Sequence, residues 1–277
     1  MLIAQLTDTH IRVPGSLAYG VVDTAAFLER AVAHLRALSP QPDLVIVTGD
    51  LTDFDQPEEY ARFRALLAGL PMPMFAVPGN HDSSAGLRAA FPELAVRAAG
   101  AAGDKLNYVL EGHPVRVVML DSSVPGKPHG ELGREGLAWL EAQLAAAPER
   151  PTLVALHHPP FLTGIGHMDV QNLRDADGLE AVLQRHSQVQ ALVCGHVHRA
   201  VTTRFAGLPA SIGPAPAHAV SLALHPGAPP SFHMEPPSLH LHLFTDGRLV
   251  THTSFIGPYD GPYPFFDRNN RLVGAPA

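Results

Sequence analysis

Five short polar motifs stand just beyond five apolar runs of strand length. Asp8-Thr9-His10 follows Leu2–Leu6, Gly49-Asp50 follows Leu44–Val47, and Gly79-Asn80-His81-Asp82 follows Met74–Val77. His157-His158-Pro159-Pro160 follows Leu153–Leu156, and Gly195-His196-Val197-His198 follows Ala191–Val193. Polar groups gathered beyond the carboxyl ends of successive strands are the arrangement of an open α/β sheet, which binds its ligands at that edge. Asp-x-His and His-x-His in extended chain put both side chains on one face, because the strand period is two. Glycines at 49, 79 and 195 let the backbone turn sharply and come close to a ligand.

The intervening segments fit this architecture. Apolar spacing predicts helices over Asp23–Leu38, Pro57–Leu67, Arg134–Ala145 and Asp175–Arg185. Leu106–Leu110 and Val115–Leu120 read as a hairpin pair. After His198 the helical period nearly disappears. Val201–Phe205, Ser221–Leu224, Leu239–Phe244 and Leu249–Phe255 read as strands that finish a second sheet and supply an extension or cap. Ala215–His233 is rich in proline, and the tail Gly257–Ala277 reads as irregular, lying on the surface or against a neighbouring subunit. The expected division is a catalytic domain over 1–200 and remaining strands, cap and tail over 201–277.

Composition removes several function classes. With 46% hydrophobic residues the chain of 277 has a substantial core to bury, so disorder is excluded. A formal charge of −7 offers no surface for a phosphate backbone, so nucleic acid is not an expected partner. One cysteine, Cys194, excludes an intrachain disulfide and a thiolate metal cluster. Neither a basic leader nor a long apolar run is present, so a cytoplasmic location without membrane attachment is expected. The 17 histidines nearly equal the 19 Lys and Arg, and histidine is the commonest metal ligand.

Taken in order, D-x-H, G-D, G-N-H-D, H-H and G-H-x-H resemble the calcineurin-like metallophosphoesterase superfamily. A lone Asp-x-His is ordinarily a turn with a solvated ring; the ordered set is what carries the resemblance. It implies a four-layer α/β/β/α sandwich with the site at its edge and a small β-rich cap. It also implies two divalent ions. Asp8, His10, Asp50 and His198 would hold one; Asp50, Asn80, His157 and His196 would hold the other, with Asp50 bridging. Such ions clamp the attacking and leaving oxygens and lower the pKa of a bridging water, so that a bridging hydroxide attacks phosphorus. Oxygen and imidazole donors suit Mn, Fe, Co or Zn. By the same resemblance His81 faces the phosphate as a general acid or an electrostatic stabiliser, with Asp82 orienting its ring and Asn80 also near the substrate.

The other histidines have plainer readings. His158 reads as structural support, and His240 and His242 as residues of a solvated or core strand. Cys194 reads as a small core hydrophobe, and the stretch from Gly164 to Asp169 equally as an ordinary loop or as one that reaches the substrate.

The sequence departs from two branches of the superfamily. Protein Ser/Thr phosphatases carry Arg after G-D and before N-H, where this chain has Leu51-Thr52-Asp53-Phe54 and Val77-Pro78. Purple acid phosphatases place a Tyr ligand where Asp53 stands. Two divalent ions less two carboxylates and a hydroxide leave one positive charge, which matches a monoanionic diester. Tyr19-Gly20, Pro57-Glu58-Glu59-Tyr60, Met168-Asp169, His218 and Tyr259-Asp260-Gly261-Pro262 are similar to bacterial glycerophosphodiesterases and class III cyclic-nucleotide phosphodiesterases. The implied activity is hydrolysis of a small phosphodiester, with Tyr19 and His218 touching substrate, in a homo-oligomer (dimer or higher). A phosphomonoesterase or nucleotidase on the same metals is the alternative, and a metal-binding scaffold without activity is a third reading.

Overall fold

A computed structural model describes residues 1–98 and 103–274. The chain runs β1 (Leu2–Leu6), α1 (Thr24–Ala37), β2 (Leu44–Thr48), α2 (Pro57–Leu67), β3 (Met74–Val77), α3 (Ser84–Ala90) and α4 (Pro92–Arg97). It continues with β4 (Tyr108–Leu110), β5 (Arg116–Leu120), α5 (Gly133–Ala145), β6 (Thr152–Leu156), the single turn α6 (Gly166–Asp169), α7 (Ala176–Leu183) and β7 (Val189–Cys194). The last third is β8 (Val201–Phe205), β9 (Leu208–Ile212), β10 (Ala219–Val220), β11 (Phe232–His233), β12 (Ser238–Thr245) and β13 (Arg248–Phe255).

Two large sheets form, in orders β13-β12-β1-β2-β3 and β4-β5-β6-β7-β9-β8, and β10 and β11 make a separate two-stranded ribbon. Strands β1 to β3 are parallel, as are β5, β6, β7 and β9, so the carboxyl ends of the motif-bearing strands point to one edge. Side-chain alternation sorts the second sheet into two faces. Val117, Met119, Leu153 and Ala155 pack into the core shared with the first sheet, α1 and α2. Val118, Leu120, Val154 and Leu156 pack against Leu140 and Leu144 of α5 and Leu179 and Val182 of α7. The result is the expected α/β/β/α stack. Gln5 spans its middle: its amide donates to Thr48 Oγ1 at 2.9 Å and to the Cys194 carbonyl at 2.8 Å, which joins the sheets by hydrogen bonds.

Local signals set the helix starts. Asp23 accepts from Ala26 N at 3.2 Å and caps α1. Pro57 opens α2, where it loses no backbone donor that the helix needs, and Gln56 with Glu59 forms a reciprocal capping box.

The region after His198 differs from its sequence reading. β8 and β9 complete the second sheet, but β12 and β13 cross to the first, with β12 antiparallel to β1. Within the proline-rich stretch Ala219–Val220 and Phe232–His233 are strand and pair with each other, whereas Ser221–Leu224 is loop. The tail from Gly257 to Gly274 is irregular, with one isolated bridge from Phe266 to Leu272, and the expectation for 275–277 lies outside the described residues. Among the described residues no helix is long and apolar enough to cross a membrane.

Candidate metal centre

The seven expected ligands converge where the two sheets meet, and nearly all are buried. Asp8, His10, Asp50, His157, His196 and His198 are each at most 6% exposed. Five of them, Asp8, His10, Asp50, His196 and His198, adopt positive φ between 44° and 76°. L-residues avoid that region, so strain on this scale marks a site that the surrounding fold over-determines. Glycine takes part through close approach. A Cβ at Gly79 would collide with the Asp50 carboxylate, and one at Gly195 would collide with Thr7 Oγ1 and stand 3.0 Å from Asp8 Oδ2.

Asp8, His10, Asp50 and His198 bring one donor atom each within 4.8 Å of one another. His10 Nε2 and His198 Nε2 are 3.2 Å apart, and His198 Nε2 is 3.4 Å from Asp8 Oδ1. A second group lies beside it. His157 Nε2 is 3.1 Å from Asn80 Oδ1 and 3.2 Å from His196 Nδ1. Asp50 Oδ2 reaches both groups, at 3.6 Å from His10 Nε2 and 3.4 Å from His157 Nε2.

The tautomers follow from the hydrogen bonds on the far side of each ring. His157 Nδ1 donates to the Thr48 carbonyl at 2.7 Å, which leaves Nε2 as a lone pair facing the group. His10 Nδ1 sits 3.2 Å from Asp53 Oδ1, which turns its Nε2 inward in the same way. The Asp8 carboxylate is held by Thr7 Oγ1 at 2.7 Å and by the His196 backbone amide at 3.0 Å. Nitrogen lone pairs therefore point at one another around two buried carboxylates, and among the described residues neither Asp8 nor Asp50 pairs with Lys or Arg. This donor set fits divalent cations. Without them, burial pushes Asp8 up to about 6. Burial also acts to raise Asp50, but the His157 and His81 imidazoles outweigh it and hold that carboxyl well below its ordinary value. Burial works against a charged His157, yet Asp50 lifts it to about 9.

A cleft of about 690 Å³ opens over these groups. His81, Tyr19 and His218 all line it. The His81 backbone amide donates to Asp50 Oδ1 at 2.8 Å, and its ring Nδ1 donates to the Asp53 carbonyl at 2.9 Å, which leaves Nε2 free. His218 is buried beside His198 and His10, with ring centroids 4.6 and 5.7 Å away. Burial, then the nearby His10, lowers it to about 3, so it stands neutral.

Asp82 does not take the place expected of it. Its oxygens accept from the amides of Leu51, Thr52 and Gly79 and from Thr52 Oγ1, so it pins the two ligand loops together and leaves the His81 ring to Asp53. Sequence reasoning does not find Asp53 as an orienting group; its only local signal is an acid three residues after Asp50. Nor does it find Phe232 and Gln171, which line the cleft. His158 packs edge-on against His157 at 4.7 Å and is held by Ser122 Oγ at 2.8 Å, in keeping with a support role. His240 and His242 lie apart, in the first sheet, where His242 Nε2 donates to Gln5 Oε1 at 3.0 Å. Cys194 is fully buried.

The calcineurin-like phosphoesterase family matches residues 1–200. A probable glycerophosphodiester phosphodiesterase GpdQ of Arcobacter nitrofigilis is 42% identical over 99% of this chain and 100% of its own length. The 3',5'-cyclic adenosine monophosphate phosphodiesterase CpdA of Escherichia coli is 35% identical over 71% of this chain and 69% of its own. Among solved structures, a dimetal phosphatase from Danio rerio shares the fold with a TM-score of 0.68 at 15% identity, covering 92% of this chain and 98% of that one. Family match, relatives and fold all lead to one assignment: the chain belongs to the calcineurin-like phosphoesterase family.

Proposed function

We propose that this protein is a dinuclear metal-dependent phosphodiesterase acting on small phosphodiesters, of the glycerophosphodiester or 3',5'-cyclic nucleotide kind. The observation that carries the reading is the position of Asp50, whose Oδ2 faces both donor groups at the foot of the cleft. Asp8, His10, Asp50 and His198 would hold one ion and Asp50, Asn80, His157 and His196 the other, with Mn, Fe, Co or Zn suiting these donors. Bound there, such ions supply Lewis acidity and a nucleophile at neutral pH.

The chain's own groups do the rest. His81, with Nδ1–H tied to the Asp53 carbonyl, presents Nε2 to the cleft and, when protonated, gives its proton to the departing alkoxide. The cleft lining contains no Lys or Arg, which favours a monoanionic diester over a dianionic monoester. Residues 1–200 are read as the catalytic unit and 201–277 as its remaining strands, cap and tail. The protein is read as cytoplasmic and as a homo-oligomer, with neither nucleic acid nor membrane as a partner.

Mn-reloaded protein should cleave bis(p-nitrophenyl) phosphate faster than p-nitrophenyl phosphate. Faster monoester turnover would favour the phosphomonoesterase or nucleotidase reading. Two bound ions with neither activity would leave a metal-binding scaffold.

A further inference from the structure

The cleft has two unlike walls. One comes from α6 and the turn after it and is mixed, with His167 and Gln171 polar and Met168 apolar. The other is aromatic and apolar, built from Tyr19 in the loop before α1 and from the β10–β11 hairpin, which brings Val220, Pro230 and Phe232. Tyr19, His218 and Phe232 form a closed cluster. Ring centroids are 5.1 Å apart for Tyr19–His218, 5.1 Å for Tyr19–Phe232 and 5.2 Å for His218–Phe232.

This wall is fixed in place. Ala18, Val22 and Ala217 back Phe232. Across the hairpin Phe232 pairs with Val220, and the register is pinned by Ser221 N donating to the Ser231 carbonyl at 2.9 Å and by Ser231 Oγ donating to Ser221 Oγ at 2.8 Å. At the far end of the hairpin, Leu224 reaches the loop before α6: a Cβ on Gly164 would lie 3.3 Å from Leu224 Cδ2. The loops that carry the two walls thus approach each other at Gly164 and Leu224, beside the cleft.

Chemistry narrows what the cleft takes. An anionic ester arm would find no Lys or Arg in the lining. A flat ring finds an aromatic surface, and stacking on such a surface tolerates many ring types. A glycerol arm has no face to offer it. We propose that the β10–β11 hairpin makes the cleft selective for phosphodiesters whose arm is a flat, uncharged ring, a nucleobase or an aryl group, with Phe232 as the specificity-determining residue. This inference rests on the phosphodiesterase reading above.

The test compares adenosine 3',5'-cyclic phosphate with the 3',5'-cyclic phosphate of methyl riboside, using the Mn-loaded full chain. The two esters share a leaving group and differ in the base. The wild type should prefer the base-bearing ester by about tenfold or more in kcat/KM, mostly through KM. Phe232→Leu keeps apolar volume without a ring and should remove most of that preference, whereas Phe232→Tyr should keep it. Metal content and circular dichroism establish that each variant is folded. Equal kcat/KM for the two esters in the wild type, or an unchanged preference in Phe232→Leu, overturns the inference. Cleavage of sn-glycero-3-phosphoethanolamine, a diester with no ring in either arm, with neither cyclic ester turned over also overturns it, and leaves the phosphodiesterase reading standing. Failure on every diester overturns that reading as well.

Discussion

The two sheets bring different chemistry to the seam between them. The ends of β1, β2 and β3 carry Asp8, His10, Asp50 and Asn80, which amount to two carboxylates, an amide and one imidazole. The ends of β6 and β7 carry His157, His196 and His198, three imidazoles and no acid. Negative charge is thus confined to one sheet, and the other offers only imidazole nitrogen. A cation at the seam would be drawn to the first sheet by charge and would complete its coordination from the second. Losing a donor should therefore have consequences that depend on which sheet supplied it.

The largest effect expected is from Asp50→Ala. Asp50 is the donor that both groups share, so both ions should be lost and turnover should fall by orders of magnitude. His157→Ala removes a donor of the second sheet alone and should leave one ion bound, measured by metal analysis of the purified variants. Two ions and near-wild-type turnover in Asp50→Ala would break the contrast and the ligand assignment with it.

His81→Ala comes next. Its ring touches neither donor group through a hydrogen bond, so both ions should remain while kcat falls roughly 10²–10⁴-fold, the usual span for a positioned acid–base group. If His81 protonates the leaving group, the loss should shrink for p-nitrophenolate, which needs little protonation. Equal losses for good and poor leaving groups would identify it as an electrostatic stabiliser instead.

Much of this seam is legible in the sequence. Apolar runs of strand length end at Asp8, Asp50, Asn80, His157 and His196, and period-two alternation aims each pair at one edge. Non-local pairing is not legible. Nothing in Leu239–Phe244 says that it will lie antiparallel to β1 rather than extend the second sheet. Helices α3 and α4 escape the periodic pattern because Ser84–Arg97 is short and interrupted by Gly86 and Pro92, although Ser83 capping Gly86 N at 2.8 Å is a readable start. Asp53 and Phe232 escape for a different reason. Each acts through a neighbour that folding brings near, His10 and His81 for one, Tyr19 and His218 for the other.

Chelation should have a moderate effect on stability. Ions bound only by the fold, at a free concentration a hundred times Kd, stabilise it by about 2.7 kcal/mol each. Removing them should lower Tm and leave the sheets joined by Gln5 and the apolar core. An unchanged Tm would mean that the seam does not depend on cations.

The smallest effect expected concerns the histidines of the first sheet that have no part in the centre. Burial lowers His240 to about 4 and His242 to about 3, below the ordinary 6.5 of the unfolded chain. Between those values the unfolded state binds more protons, so stability is intact above pH 6.5 and falls as pH drops toward 4. The slope should be roughly 1 kcal/mol per pH unit for each ring in the metal-loaded protein, measured by denaturant unfolding. His242→Gln should flatten it by about one proton's share. An unchanged slope would mean that this ring is already charged in the fold.

The left-handed backbone at Asp8, His10, Asp50, His196 and His198 bears on how such a protein changes when selection for catalysis is relaxed. Each non-glycine residue there costs the metal-free chain roughly 1–2 kcal/mol of local strain. At His198, whose Nδ1 has no hydrogen-bond partner among the described residues, a change to Gly relieves that strain. Once metal binding no longer offsets the cost, drift at these five positions runs toward residues that tolerate the turn. Inactive descendants of this fold should therefore shed their ligands first at the left-handed positions, while Asn80 and His157, whose backbones carry no such strain, persist longest as relics of the lost centre.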